Sequence, residues 1–188
     1  GENMDKITVW TKQNKNVLNV IEEHGRYTAK KEYIIKDLNE HAHLVLEVYD
    51  WLVKNTPNAH DRPEDAEYPV WVSLMKEATM MPSEGSVILE LTINPSIITM
   101  ININKWGTML NYSYIPCSDA DKERHNQLLN QYGVSDAKAF MSRFYPQIKK
   151  EITDSWQRLF DDSILLGNNI SYGNIWEIKE EWITKIIQ

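Results

Sequence analysis

Ser86-Val87-Ile88-Leu89-Glu90-Leu91-Thr92-Ile93 is the stretch that decides the fold. It is rich in β-branched and aliphatic side chains and contains neither glycine nor proline. Turn chemistry bounds it on both sides, Met81-Pro82-Ser83-Glu84-Gly85 before and Asn94-Pro95-Ser96 after. A pleated, largely buried strand fits such a run. Working outward, residues 97–103 continue as a second strand and residues 70–74 (Val-Trp-Val-Ser-Leu) precede as a third. Residues 7–11 (Ile-Thr-Val-Trp-Thr) read as an opening strand and Trp176-Glu177-Ile178 as a late one, with 182–187 its continuation or a terminal amphipathic segment.

Helices fill the intervals without a regular β-α-β alternation. Asn14 or Asn16 caps a short helix carrying Val17, Leu18, Val20 and Ile21, and Gly25 after His24 ends it. From Asp37, the apolar positions Leu38, Ala42, Val45, Leu46, Tyr49, Leu52 and Val53 repeat at three and four residues, one buried helical stripe. Residues 119–131, 136–145 and 148–160 read as three further helices, and 106–111 as a helical turn. The fold class is therefore α+β: a central antiparallel or mixed sheet, open to being split, with several packed helices. No repeat or linker asks for a domain boundary, so residues 4–188 read as one globular domain. Gly1 to Asn3 ahead of Met4 read as a cloning remnant.

Composition narrows the function classes. The 188 residues are 42% apolar and 25% charged, a globular balance, and include seven Trp and nine Tyr, which bury large areas. The formal charge is −7, from 20 basic and 27 acidic residues. Duplex binding needs clustered Lys and Arg to displace counterions, so a nucleic-acid partner is not expected. Lys12, Lys15, Lys30, Lys31 and Lys36 make the start more basic than the rest, as a solvated face would. Cys117 is the single cysteine, which excludes an internal disulfide and fits a reducing compartment. With no long apolar run and no signal-peptide pattern, the expected location is the cytoplasm.

The strong chemical motifs are missing: no phosphate-cradling glycine pattern, no Gly-x-Ser-x-Gly elbow and no His-Glu-x-x-His pair. His41 and His43 are two apart and diverge on a helix. His43 and Glu47 share a face but serve equally as a surface ion pair, and no metal site is expected. His60 beside Asp61 reads as a solvated loop, with only His125, near Asp119 and Asp121, to complete a phosphohydrolase-like set. Tyr68, Trp71, Trp106, Tyr112 and Tyr114 cluster in the central third. Tyr112 and Tyr114 alternate with Asn111 and Ser113, so they share one face if residues 111–114 are a strand.

Several short signatures stand in order: Trp10-Thr11-x-Gln13, Gly25, Tyr49-Asp50-Trp51-Leu52, Tyr68-Pro69-x-Trp71, Leu89-Glu90, Trp106 to Leu110-Asn111, Ser155-Trp156 to Phe160-Asp161, and Trp176-Glu177-Ile178. Together, across nearly the whole chain, they resemble a bacterial family catalogued as domain of unknown function 3841, which carries no assigned activity. The layout also resembles the ADP-ribosyltransferase superfamily: an opening strand with a polar residue after its aromatic, a helix ending in His-Gly, a middle rich in Trp and Tyr, a late glutamate. That likeness implies a split, mostly antiparallel sheet with NAD in the cleft between its halves. It implies Thr11 or Gln13 as the first-strand donor, where the superfamily has His or Arg, and Tyr112 or Tyr114 as the stacker of the nicotinamide. It implies Glu177 as the acid that fixes the ribose 2′-hydroxyl and stabilises an oxocarbenium-like transition state.

The expected function is binding of a nucleotide-like ligand such as NAD in an aromatic-lined cleft. Glu177 and Gln13 are the candidate catalytic residues, and Thr11, Trp71, Trp106, Asn111, Tyr112 and Tyr114 the candidate ligand contacts. ADP-ribosyl transfer or NAD hydrolysis is the reaction class if catalysis occurs. The alternative is a non-catalytic partner-binding or regulatory module, since Trp and Tyr dominate interaction hot spots.

Overall fold

A computed structural model describes residues 5–32, 35, 42–79 and 81–188. Among them are six α-helices and three small antiparallel sheets, the α+β class the sequence predicts. The expected helix start at Asp37, together with Lys36, Leu38, Glu40 and His41, lies outside the described residues. The chain forms two compact units interleaved along the sequence. The first draws on Gly1–Asn39, Thr56–Met100 and Tyr172–Gln188, the second on Glu40–Asn55 and Ile101–Ser171.

In the first unit, Ser86–Ile93 is a strand as its composition requires (β4). It pairs antiparallel with β1, Ile7–Asn14, in an unbroken register from Ile7 opposite Ile93 to Asn14 opposite Ser86. On its other edge β4 takes β8, Ile183–Ile187, with a register shift between Glu90 and Leu91. Alternation sends Val87, Leu89, Leu91 and Ile93 to one face with Val9. Val17 and Ile21 of helix α1 (Asn16–His24) close over that face, and Gly25, at φ 74°, ends the helix left-handed. Val70 and Val72 of β3 (Val70–Val72) and Ile175 of β6 (Ser171–Ile175) join the same core. β3, β6 and β5 (Thr99–Asn102) make the second three-stranded sheet, and β2 (Arg26–Tyr27) with β7 (Ile178–Lys179) a two-stranded one.

The two three-stranded sheets meet at one residue pair. Trp10 of β1 and Ser73, the residue just past β3, exchange both backbone bonds, at 2.9 and 2.7 Å, and form an isolated bridge. An antiparallel ladder would continue with Lys12 opposite Trp71. Instead, the Thr11 hydroxyl donates to the Trp71 carbonyl at 2.7 Å. A side chain thus takes the place of the next ladder bond, and the strands part there.

The second unit holds α2 (Ala42–Asn55), α3 (Ile103–Leu110), α4 (Asp119–Tyr132), α5 (Asp136–Met141) and α6 (Pro146–Ser155). Ser118 and Ser135 cap α4 and α5 with their hydroxyls, and Gly133 ends α4 at φ 61°. Trp156 is the centre of the core: Trp51 meets it edge-on at 5.7 Å, Phe140 packs at 5.5 Å, and its indole N–H donates to the Ser113 carbonyl at 2.8 Å.

Three local expectations are corrected. Residues 176–178 are not one strand: β6 stops at Ile175 and β7 starts at Ile178. The Trp176 indole donates to the Asn58 carbonyl at 2.8 Å and Glu177 is held by Arg26, so both are drawn out of a ladder. Residues 111–114 are not a strand either. Asn111 caps α3, and Tyr112 turns left-handed at φ 58°. Residues 148–160 break at Ser155 into a tight 3₁₀ segment, Trp156–Phe160, whose end is tied by the Lys105 ammonium donating to the Arg158 and Asp161 carbonyls, both at 2.9 Å.

Candidate functional site

Of the eight candidate residues, Thr11, Gln13, Trp71 and Glu177 fall in the first unit. Three of these are tied together at the parting of the sheets. Gln13 on β1 donates through Nε2 to the Thr11 hydroxyl at 2.8 Å, and Thr11 passes a hydrogen on to the Trp71 carbonyl. Opposite Trp71 in the register stands Asn174 of β6, which sequence reasoning missed because a lone asparagine in a strand carries no signal. Its side chain shares the sheet face of Trp71, since directly paired residues point the same way. Asn174 is 2% exposed. Its Nδ2 reaches only the Gly173 carbonyl, at a long 3.3 Å, and its Oδ1 has no hydrogen-bond partner among the described residues. A buried, unmet acceptor of this kind costs about 1–3 kcal/mol.

Glu177 sits apart from this group, and among the described residues no hydrogen bond or ion pair links it to Gln13. Arg26 donates to its Oε2 through Nε at 3.0 Å and Nη2 at 2.7 Å, while the Lys179 ammonium lies 3.7 Å from Oε1. The same guanidinium clasps both oxygens of Asp65, at 2.5 and 3.0 Å. Bonds from Asp65 first, then Glu177, raise the Arg26 pKa further above its ordinary value, and the Arg26 bond holds the Asp65 carboxyl below its own. Lys30 closes the cluster on the Asp65 carbonyl.

Trp106, Asn111, Tyr112 and Tyr114 belong to the second unit. Trp106 is buried, with the Tyr49 ring edge-on at 5.2 Å. Tyr112 stacks on Phe140 at 5.1 Å. Tyr114 lies flat on His125, ring centres 3.9 Å apart and planes within 8°, while the Arg158 and Arg124 guanidinium carbons stand 5.3 and 5.9 Å from its ring. Its hydroxyl donates to Asp121 at 2.8 Å and accepts from Arg124 and Arg158, both at 3.0 Å.

His125 is 2% exposed and has a carboxylate on each ring nitrogen: Glu151 at 2.5 Å from Nδ1 and Asp136 at 2.6 Å from Nε2. A neutral imidazole donates through one nitrogen only, so two carboxylates this close call for the imidazolium. Burial pulls the pKa of the ring down, but the bonds to Asp136 and Glu151 outweigh it and leave it raised. Burial likewise pushes Asp121 up. The Cys117 backbone N–H, the Tyr114 hydroxyl and Arg124 more than reverse this and hold its carboxyl well below the usual range. His125 therefore finds its partners on α5 and α6 rather than in the neighbouring Asp119 and Asp121, a pairing that sequence distance hides.

Comparison with known proteins bears on the whole of this arrangement. A family model described as a domain of unknown function (DUF3841) matches residues 8–184. The chain belongs to this family. The match takes in β1 through the start of β8, so the sheet junction, the Glu177 cluster and the His125 network all lie inside the DUF3841 span. No curated protein and no solved structure was found to match the chain.

Proposed function

We propose that this DUF3841 chain binds a ligand of the NAD class at the junction of its two three-stranded sheets, in the first unit. The observation that carries the reading is the parting of β1 from β3 just past the Trp10–Ser73 bridge, with the buried, unmet Asn174 Oδ1 on the same face as the Trp71 indole. A primary carboxamide such as that of nicotinamide supplies the N–H donor this acceptor lacks, and Trp71 supplies an aromatic neighbour for its ring. A split, mostly antiparallel sheet is also what the likeness to ADP-ribosyltransferases implies. Glu177 and Gln13 are the groups of this reading that act on the ribose side if chemistry follows binding. Because Arg26 holds Glu177 Oε2 by two hydrogen bonds, Oε1, with only the Lys179 ammonium 3.7 Å away, is the oxygen of this reading that meets a ribose hydroxyl. The reaction is then ADP-ribosyl transfer or NAD hydrolysis. The proposed setting is a bacterial cytoplasm, since Cys117 is an exposed free thiol and suits a reducing compartment.

The test is thermal unfolding with and without millimolar NAD and ADP-ribose, repeated on Asn174→Leu and Glu177→Gln. A ligand at one hundred times its Kd stabilises by about 2.7 kcal/mol, a plain shift in melting point. The expected result is a shift with NAD that Asn174→Leu loses and Glu177→Gln keeps, with nicotinamide release lost in Glu177→Gln. An unchanged melting point with both ligands removes the reading.

A second reading rests on a separate observation. Phe144 is 87% exposed, next to an apolar groove of about 390 Å³ walled by Leu128, Tyr132 and Ile148. Such a surface suits a protein partner. It takes precedence if neither nucleotide moves the melting point, and Phe144→Asp is then the variant expected to lose association.

A further inference from the structure

A cavity of about 380 Å³ opens in the second unit beside Tyr114, walled by Arg158, Arg124, Lys150 and three carboxylates. The carboxylates would ordinarily repel an anion, yet each already has a cationic partner. Asp121 takes Arg124 at 3.1 Å and Arg158 at 3.1 Å. Glu151 takes Arg124 at 2.9 Å and the His125 ring at 2.5 Å, and Asp154 takes Lys150 at 2.6 Å.

Arg158 is the unusual member. Its Nη1 alone meets three acceptors: the Tyr114 hydroxyl at 3.0 Å, the Ile115 carbonyl at 2.6 Å and Asp121 at 3.1 Å. Its other edge, Nε and Nη2, has no protein acceptor among the described residues, and its side chain is 27% exposed. A guanidinium anchored at one end and open along the edge is a preorganised fork, the geometry that pairs bidentately with a carboxylate or phosphate. Because the inward bonds already fix the side chain, a ligand need not order it. Lys150 stands at the rim, 76% exposed and paired with the solvent-facing Asp154 at 2.6 Å, so it can turn to an incoming anion at little cost, and Gln147 adds a neutral donor.

We infer that this cavity is an oxyanion-binding site, taking the phosphate or carboxylate group of a small molecule on the open edge of Arg158 with Lys150 at its rim. It is independent of the NAD reading, which concerns residues of the first unit.

The test is thermal unfolding in inorganic phosphate and, in a separate arm, in acetate, each against sodium chloride of equal ionic strength. A saturable stabilisation by phosphate alone assigns a phosphoryl ligand, and one by acetate a carboxylate. No stabilisation beyond that of chloride overturns the site. Lys150→Glu leaves the exposed rim folded but reverses its charge, and the apparent Kd is expected to weaken by about tenfold. Arg158→Lys keeps the charge and loses the fork, with a larger expected loss. If Arg158→Lys fails to fold, Lys150→Glu decides alone, and an unchanged Kd in it overturns the assignment. An NAD response that Lys150→Glu leaves intact but Asn174→Leu removes belongs to the other unit, so the two proposals fail separately.

Discussion

His125 is the side chain through which pH acts most directly on this protein. Its pKa in the folded chain stands above the ordinary 6.5, because Asp136 and Glu151 outweigh the cost of burial. A raised base contributes stability that is fully present below about pH 6.5 and is lost as pH climbs through the folded value. Each unit of pKa difference amounts to about 1.4 kcal/mol. The melting point is therefore expected to fall as pH rises above about 6.5, and His125→Gln to flatten that limb while lowering stability overall. Removing one member of such a buried ion cluster costs about 3–5 kcal/mol. A pH series of melting points on both proteins checks this, and parallel falling limbs would sink it. Asp121 works in the other direction: its depressed carboxyl contributes stability above its ordinary range, which is lost on acidification. Cys117 permits a simpler test at the same scale. It is the only thiol and is exposed, so the native protein is expected to release one equivalent in a thiol-disulfide colorimetric assay without denaturant. Neither residue announced its surroundings in the sequence. His125 was legible as polar and near Asp121, but its partners arrive from 11 and 26 residues away.

Elements were legible where one local cause sufficed. Ser86–Ile93 is a strand because its own side chains fill a core, and Asn16–His24 ends at Gly25 because only glycine takes φ 74° cheaply. A Cβ placed on Gly25 meets no atom within 4 Å, so Gly25→Ala is expected to cost the backbone term alone, about 1 kcal/mol. Urea unfolding reads that directly, and a loss several times larger would show that α1 ends for another reason. Gly173 is the contrasting case, since a Cβ there would stand 2.6 Å from Ile98 Cγ2 and 2.9 Å from Val72 Cγ2. Gly173→Ala is therefore expected to destabilise by overpacking, about 1–3 kcal/mol, and to disturb the Asn174 side chain next to it. Where several distant groups compete for a residue, local reading failed. Trp176 and Glu177 look like strand residues, but Asn58 and Arg26, from far earlier in the chain, claim them. The expected tyrosine pair of 112 and 114 fell for the same reason, one ring going to Phe140 and the other to His125.

At the scale of the whole chain, interleaving is what the sequence conceals. Two of the four passages between the compact units fall inside strands β5 and β6, without a polar or glycine-rich linker, so composition gives no sign of them. Net charge, by contrast, is read from the sequence alone, and the structure shows how the positive side of it is spent. Arg26 is committed to Asp65 and Glu177, Lys30 to the Asp65 carbonyl, Arg124 to Asp121 and Glu151, and Lys105 to two backbone carbonyls. Among the described early lysines, Lys6, Lys15 and Lys31 are exposed while Lys12 and Lys30 are half-buried, and a few separated charges on a chain of net −7 make a poor phosphate track. Counterion release rewards a protein roughly in proportion to the phosphates it neutralises, and a long-range field of the wrong sign opposes the approach. Fluorescence anisotropy with labelled duplex DNA at low ionic strength is therefore expected to show no saturable binding at micromolar protein. Binding that saturates there and weakens steeply with added salt would mean that the basic residues act as one surface, and would move the search for function from small ligands to nucleic acid.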